Sequence, residues 1–421
     1  MPRLRPFSRV MLGAGLTLLP LLVFAQDDAG GLRMTLDLSQ RFETSDNLAL
    51  DPTSAGRTTQ ATTNLSFGLM SETRTQRLAV DVSGALRFAD GPGTSSNGFT
   101  DPQFGLSYTR TAATARLSFN ASLREDDLEF LRPLEDFLNP DGSIDLPDDL
   151  ADLTGTGTRR NTSADLALNW GDGGPLGFGI SAGINDLNYI QSSAGLIDSR
   201  RTTLGANVKL RLDPATDLSL GLRQSHFTDD AGDDSDTLGF DAAITRARPN
   251  GSISATFLAE DSGDGTRLGL SFGRSLDLPR GSLSATLGVG RSAAGKTYAT
   301  GNLALRQDMP RGQFTASLQR GFSAGSNDSE TVVTSLALAY NQSLTPLTSF
   351  GVTLRHGDST QTVTGISTRN TALSASITHA LTEDWGLTAG YTQSFRDEDG
   401  VGNASSGTAF LTLDRDFSLR F

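Results

Sequence analysis

The clearest regularity along the chain is an alternation of apolar and polar residues with a period of two. In Asp277–Val289 (DLPRGSLSATLGV), Leu283, Ala285, Leu287 and Val289 alternate with Ser284, Thr286 and Gly288. That period predicts a β-strand with one apolar and one polar face. The strand is headed by Pro279-Arg280-Gly281, where Pro fixes φ and Gly tolerates a close turn. The unit recurs: PNGSISATF begins at Pro249, PRGSLSATL at Pro279 and PRGQFTASL at Pro310, spacings of 30 and 31 residues. Such an internal repeat holds two strands, one tight turn and one looser loop, and it governs the fold assignment.

The same alternation predicts strands from Leu32, Met34, Leu36 and Leu38 near the start to Ala409–Phe421 at the end. It gives about 20 strands, with 18 to 22 as the range that short-strand boundaries allow. Strands of about ten residues at ~3.3 Å each, tilted ~40°, rise roughly 25 Å, the apolar height of a membrane barrel wall. The fold class expected is therefore all-β, a transmembrane antiparallel up-and-down β-barrel. A soluble β-solenoid or β-sandwich also alternates and is the competing reading. The hydrophobic fraction is 37%, low for a two-sided core but sufficient for a wall with one polar face.

The connections alternate in kind. One set is short and often holds Pro, as at Asp213-Pro214, Arg248-Pro249, Leu278-Pro279 and Met309-Pro310; the other is acidic and more variable, as at Asp229–Asp236, Glu260–Gly265 and Arg396–Gly402. Short turns on one side and longer loops on the other match membrane barrels, with the longer loops extracellular. One connection stands apart. Residues 125–160 show no alternation and are heavily acidic, with Asp126, Asp127, Glu129, Glu135 and Asp136 among apolar residues whose spacing would suit a short amphipathic helix. Loops of this length are usually functional or disordered.

Met1–Arg9 is basic, Val10–Phe24 is apolar, and Val23-Phe24-Ala25 presents small residues where signal peptidase reads. This predicts a signal peptide over residues 1–25, cut between Ala25 and Gln26, followed by a single barrel over 26–421. The net charge is −13, and losing the three arginines of Met1–Ala25 takes the mature chain to −16. That balance argues against nucleic-acid binding. With no Cys in the chain, disulfides, thiolate metal sites and Cys nucleophiles are excluded. The Asp-rich loops lack the EF-hand spacing, so no cofactor is expected; divalent cations bridging the acidic loops to lipopolysaccharide are the one ion role left open.

The chain ends at Phe421, with Leu419 and Phe417 at alternate positions before it. With the leader and the strand count, this resembles the outer-membrane β-barrel proteins of Gram-negative bacteria, porin-like ones included. The resemblance implies an outer-membrane location, lipid and lipopolysaccharide as surroundings, and Phe417, Leu419 and Phe421 as the signal read by the barrel assembly machinery. Arg415 falls in the apolar phase of the last strand. A bulge or strand break at Asp414-Arg415-Asp416 is the expected accommodation.

The polar phase of the strands carries Arg87, Arg116, Lys209, Arg223 and Arg355, the candidate pore-lining cations. Residues 125–160 form the third long connection, and in porins the third loop folds inward. Asp126, Asp127, Glu129, Glu135 and Asp136 facing basic wall residues would then set a transverse field at a constriction. The function expected is a channel for small hydrophilic solutes. The alternatives are a non-conducting structural or surface-interaction barrel plugged by its own loop, and a rim hydrolase built on His226 with Asp229 and Asp230. Oligomerisation stays open.

Overall fold

The computed structural model describes residues 31–421 apart from 93–96, 133, 140–142, 145, 148, 150–154, 172, 193–195, 264 and 325–329. The expected signal peptide and its Ala25/Gln26 junction lie outside the described residues. The strands are β1 Gly31–Ser45, β2 Thr58–Glu72, β3 Gln76–Asp90, β4 Asn97–Thr111, β5 Ala115–Asp127, β6 Thr158–Trp170, β7 Leu176–Ile190, β8 Ser199–Asp213, β9 Thr216–Asp229 and β10 Asp234–Arg248. They continue as β11 Gly251–Ser262, β12 Gly265–Leu278, β13 Gly281–Arg291, β14 Thr297–Met309, β15 Gly312–Ala324, β16 Glu330–Ser343, β17 Thr348–Gln361, β18 Ser367–Ala380, β19 Trp385–Glu398 and β20 Gly402–Arg420.

Each strand pairs antiparallel with the next, and β1 pairs with β20 from Arg33↔Arg420 to Ser45↔Thr408. The sheet is thus a closed 20-strand barrel. Closure leaves no edge, and in lipid every backbone N–H and C=O needs such a partner. No helix of the described residues is long and apolar enough to cross a membrane; the strands do the crossing. Their apolar phase points outward: Leu36 stays 43% exposed, Leu65 44% and Leu287 76%. These side chains meet lipid rather than a protein core.

The strands are longer than the ten residues that the apolar pattern measures; β1 to β4 have 15 residues each. The additional length lies at the ends bearing the long connections, as in Glu43-Thr44-Ser45 of β1 and Thr58-Thr59-Gln60 of β2. Glu125–Asp127 and Thr158–Arg160, expected in the loop, pair as the ends of β5 and β6 through Glu125↔Arg160 and Asp126↔Arg159. The intervening connection is residues 128–157, and it holds turns at Leu134–Phe137 in place of the expected amphipathic helix. The connections 46–57, 91–96, 128–157 and 191–198 are the long ones, all on one face. On the opposite face none exceeds five residues.

Three of those short turns are the repeat seen in the sequence: Pro249-Asn250, Pro279-Arg280 and Pro310-Arg311. The Gly after each turn has a common cause. A Cβ at Gly251, Gly281 or Gly312 would overlap the carbonyl oxygen of Ser275, Arg306 or Asn341 on the following strand, in the same relation each time.

Arg415 keeps its outward phase. The pairing of β20 with β1 runs through Asp414–Asp416, and that with β19 reaches Arg415, both without a register shift, so the expected bulge is absent. The guanidinium lies 5.0 Å from the Trp385 ring and 4.2 Å from the Phe417 ring. Two aromatic faces at the short-turn rim hold the cation, in place of a backbone break. Trp170 and Phe178 stack at the same rim, 5.7 Å apart. Leu419 pairs with Met34, and the Phe421 N–H donates to the Leu32 carbonyl at 2.9 Å, so the terminal residues are tied into the seam.

A substitution pair tests the turn geometry. Gly281→Ala forces its Cβ onto the Arg306 carbonyl and should destabilise the barrel by about 1–3 kcal/mol. Gly321→Ala has nothing within 4 Å of the added Cβ and should be neutral or slightly stabilising. Unfolding midpoints in denaturant, measured in the same detergent, give the comparison.

Candidate functional site

The connection 128–157 leaves the wall at β5 and β6 and docks inside the barrel. Leu134 and Ile144 pack with Ala337 of β16 and Ala372 of β18, with Leu146 beside them. A Cβ on Gly357 of β17 would meet Leu134 and Leu146 at 3.0 Å. Ala337, Gly357 and Ala372 lie in the lumen phase of three adjacent strands, opposite in phase to Leu336, Leu354 and Leu373. Their small size leaves a niche that the loop's leucines fill. β17 lies far round the ring from β5, so the segment spans the lumen.

The root of the segment is fixed by charge. Arg87 of β3 pairs with Asp101 of β4 and lies 3.7 Å from Asp127; its guanidinium sits 4.3 Å from the Phe130 ring. Asp101 owes its position to a break in register between β3 and β4 at Ser83/Ala85, and has φ 51°. Pro102 follows it, and Pro inside a strand is confined to such irregularities because it cannot donate to the ladder. From there the Asp101 carboxylate also accepts from the Asp127 N–H at 3.1 Å.

Glu43 of β1 accepts from Arg41 Nε at 2.5 Å, from Arg132 Nη2 of the segment at 2.9 Å, and from Gln60 of β2. Arg132 also donates to Glu135 at 3.0 Å. The far limb is latched by Asp149, 1% exposed, which receives Arg159 Nε at 2.6 Å and Nη2 at 2.9 Å. The Tyr189 hydroxyl of β7 donates to the same carboxylate at 2.5 Å. Between the limbs, the Phe137 ring lies 4.7 Å from Arg124 and 5.6 Å from Arg159. A paired, hydrogen-bonded ion pair of this burial loses several kcal/mol when one partner is removed.

The five acids expected at a constriction are placed as follows. Asp126 and Asp127 stand on β5, not on the loop, and face Arg124, Arg159 and Arg87. Glu129 lies in the segment and forms no ion pair among the described residues; burial, with Asp127 beside it, pushes its carboxyl above the usual range. Glu135 pairs with Arg132. Asp136 accepts from the Arg132 N–H at 2.7 Å. Although its side chain is exposed, enclosure by the barrel pushes its carboxyl up to about 6, against the pull of Arg132.

Of the five candidate lining cations, only Arg87 meets this cluster. Lys209 lies 4.0 Å from Asp217. Arg116, Arg223 and Arg355 form no ion pair among the described residues. The expected acid-against-base arrangement is therefore partly inverted: loop Arg132 meets wall Glu43, and most acids are neutralised by arginines on their own side.

The described contacts of the segment fall on β1, β3, β5–β7 and β16–β18. Along the β8–β15 side runs a cavity of about 970 Å³ bordered by Arg201, Arg223, Glu260, Arg267 and Glu330. A second cavity, of about 480 Å³, lies between the β1–β5 wall and the segment, lined by Arg41, Arg87, Asp101, Arg124, Asp126 and Arg132. His226 lies 3.2 Å from Asp236 and 3.5 Å from Asp234, rather than meeting Asp229 and Asp230, so the arrangement envisaged for a rim hydrolase is not formed.

Sequence reasoning missed Glu43, Asp101, Arg132, Asp149, Arg159 and Tyr189. Asp101 carried a usable signal, the Asp-Pro step inside a strand. The others are polar residues on a face where polar residues are the norm.

Solved structures with this architecture are outer-membrane barrels. A mutant of the ferric enterobactin receptor PfeA from Pseudomonas aeruginosa is 11% identical, matching 93% of this chain and 81% of that one at a TM-score of 0.52. The siderophore receptor PirA from Acinetobacter baumannii is 9% identical, with 93% and 81% covered, at 0.50. The outer membrane protein OpdK from Pseudomonas aeruginosa is 12% identical, with 92% and 99% covered, at 0.42. At these identities the likeness extends to the fold alone. No family model and no curated protein matches the chain. The fold is that of an outer-membrane β-barrel.

The latch yields a direct test. Asp149→Ala strands the buried Arg159 charge and should weaken docking by about 3–5 kcal/mol. Chymotrypsin should then cut the folded barrel after Phe137, whose ring lies against Arg159, at least tenfold faster. Adding Arg159→Leu removes the stranded charge and should recover much of the protection. Equal cleavage of wild type and Asp149→Ala would show that the latch does not hold the segment.

Proposed function

We propose that this protein is a porin-like channel of the outer membrane, passing small hydrophilic solutes through a lumen half-closed by its own third long connection. The observation that carries the reading is the unequal filling of the barrel. The described residues of 128–157 dock on β1, β3, β5–β7 and β16–β18, while the β8–β15 side borders a cavity of about 970 Å³ whose rim includes Arg223, Glu260 and Glu330. A barrel of ~20 strands is wide enough to hold water unless something fills it. The lumen phase of the strands supplies Ser, Thr, Asn, Gln and Gly, which hydrogen-bond a hydrated solute without retaining it. Arg223 and Arg355, which form no ion pair among the described residues, stand on opposite sides of the ring and would act on charged solutes along the path.

A second reading has its own support. The segment is held at several points by buried ion pairs and an apolar niche, as a permanent plug would be. In that case the barrel is a non-conducting surface or structural protein. Lipopolysaccharide, assembly through the Phe417–Phe421 end, and divalent cations at the acidic rim belong to either reading.

Purified protein in a planar bilayer should give discrete conductance steps. Replacing residues 129–156 by a short Gly-Ser link, which spares β5 and β6, should raise the unit conductance about twofold or more. A silent wild type with a conducting deletion would favour the plug. Silence of both, with insertion shown by heat-dependent mobility in SDS, would overturn the channel.

A further inference from the structure

A cavity of about 280 Å³ lies between the β1–β2 connection, the folded-in segment and the lumen side of β18–β20. Its lining is divided. Leu50, Leu128, Leu131, Leu134 and Ala372 give an apolar body, and Asn370 of β18 supplies a polar end. Asn370 is 4% exposed, and neither its Oδ1 nor its Nδ2 has a hydrogen-bond partner among the described residues. A buried amide without partners costs free energy on both atoms, so such a group calls for an occupant. Whichever way the amide is turned, it offers one donor and one acceptor side by side.

The cations that border the cavity are already engaged. Arg396 pairs with Glu398 at 2.6 Å, and Arg132 pairs with Glu43 and Glu135. Of the acids that border it, Glu135 is paired with Arg132, Asp51 is exposed to solvent, and burial disfavours the charged form of Glu129. The unsatisfied buried group, Asn370, is neutral, and its complement is neutral as well.

We propose that this cavity is a binding site for a small uncharged amphipathic molecule. It would carry a branched aliphatic body of about leucine size and a head with adjacent donor and acceptor, as in a carboxamide. The head meets both atoms of Asn370, and the body lies against Leu128, Leu131 and Leu134. The volume is at the low end of ligand pockets, which restricts the occupant to a single such unit. Because the leucines belong to the segment and Asn370 to the wall, an occupant joins the two and holds the segment down. Binding is read directly in the experiment below, so its outcome does not depend on whether the barrel conducts.

The probe is 4-methylpentanamide, titrated against the full-length detergent-solubilised barrel by saturation-transfer NMR. The control is 5-methylhexan-2-one, in which a methyl replaces the amide NH₂ and only the donor is lost. The amide should bind saturably and the ketone at least tenfold more weakly. Asn370→Leu should weaken the amide at least tenfold, with folding checked by heat-dependent mobility in SDS. Ser394→Phe, which fills the cavity and keeps Asn370, should also abolish binding. If Asn370→Leu does not fold, the amide–ketone pair and Ser394→Phe decide. Equal binding of amide and ketone, unchanged binding in either folded variant, or no saturable binding to the wild type would each overturn the proposal.

Discussion

Backbone hydrogen bonding inside lipid is the constraint from which the rest of this structure follows. An open sheet would leave a row of unpaired N–H and C=O groups, each costing several kcal/mol in a bilayer. The chain meets the constraint by pairing β20 with β1. Closure at 20 strands has a consequence of its own. The side chains of the inner face are too short to meet across so wide a ring, so the interior is filled by water or by an additional piece of chain. The first half of the barrel supplies that piece, and the long connections cluster there.

The segment inside the barrel is held by two kinds of interaction that complement each other. Near its root, arginines from the wall reach Asp101, Asp127 and Asp149, and aromatic rings cover their faces. Such pairs fix geometry more than they add stability, because desolvation offsets much of the attraction. On the opposite wall the described contacts of the segment are apolar. Leu134, Ile144 and Leu146 bury themselves against small residues, and burying a side chain of this size contributes about 1.5–3 kcal/mol. The polar contacts set the path of the segment, and the apolar ones fasten its far end.

The strands were legible because the outer face meets lipid, so the alternation is kept wherever the wall crosses the membrane. It fades where the wall leaves the membrane: past Phe42, β1 ends on Glu43-Thr44-Ser45, and β2 begins on Thr58-Thr59-Gln60, with no apolar residue in the outward phase. That is why β5 and β6 run past the apparent start of the loop. The existence of an acidic third connection was plain, and its inward path was expected by resemblance. Its docking partners were hidden, because Ala337, Gly357 and Ala372 come together only through the register of β16–β18. Arg415 shows the opposite error. A misplaced charge suggested a broken strand, and two rings distant in sequence, Trp385 and Phe417, make it acceptable.

The central claim is that residues 128–157 lie across the lumen with Leu134 against β17. The chain has no native Cys, so a single engineered pair reports on this contact. In Leu134→Cys with Gly357→Cys, mild oxidation of the folded protein in membranes should join the two residues. The product would be an intramolecular disulfide, identified by mass spectrometry of the linked peptides and reversed by reductant. A folded barrel in which both thiols stay free and open to alkylation under the same oxidation would place the segment outside the lumen and contradict the account.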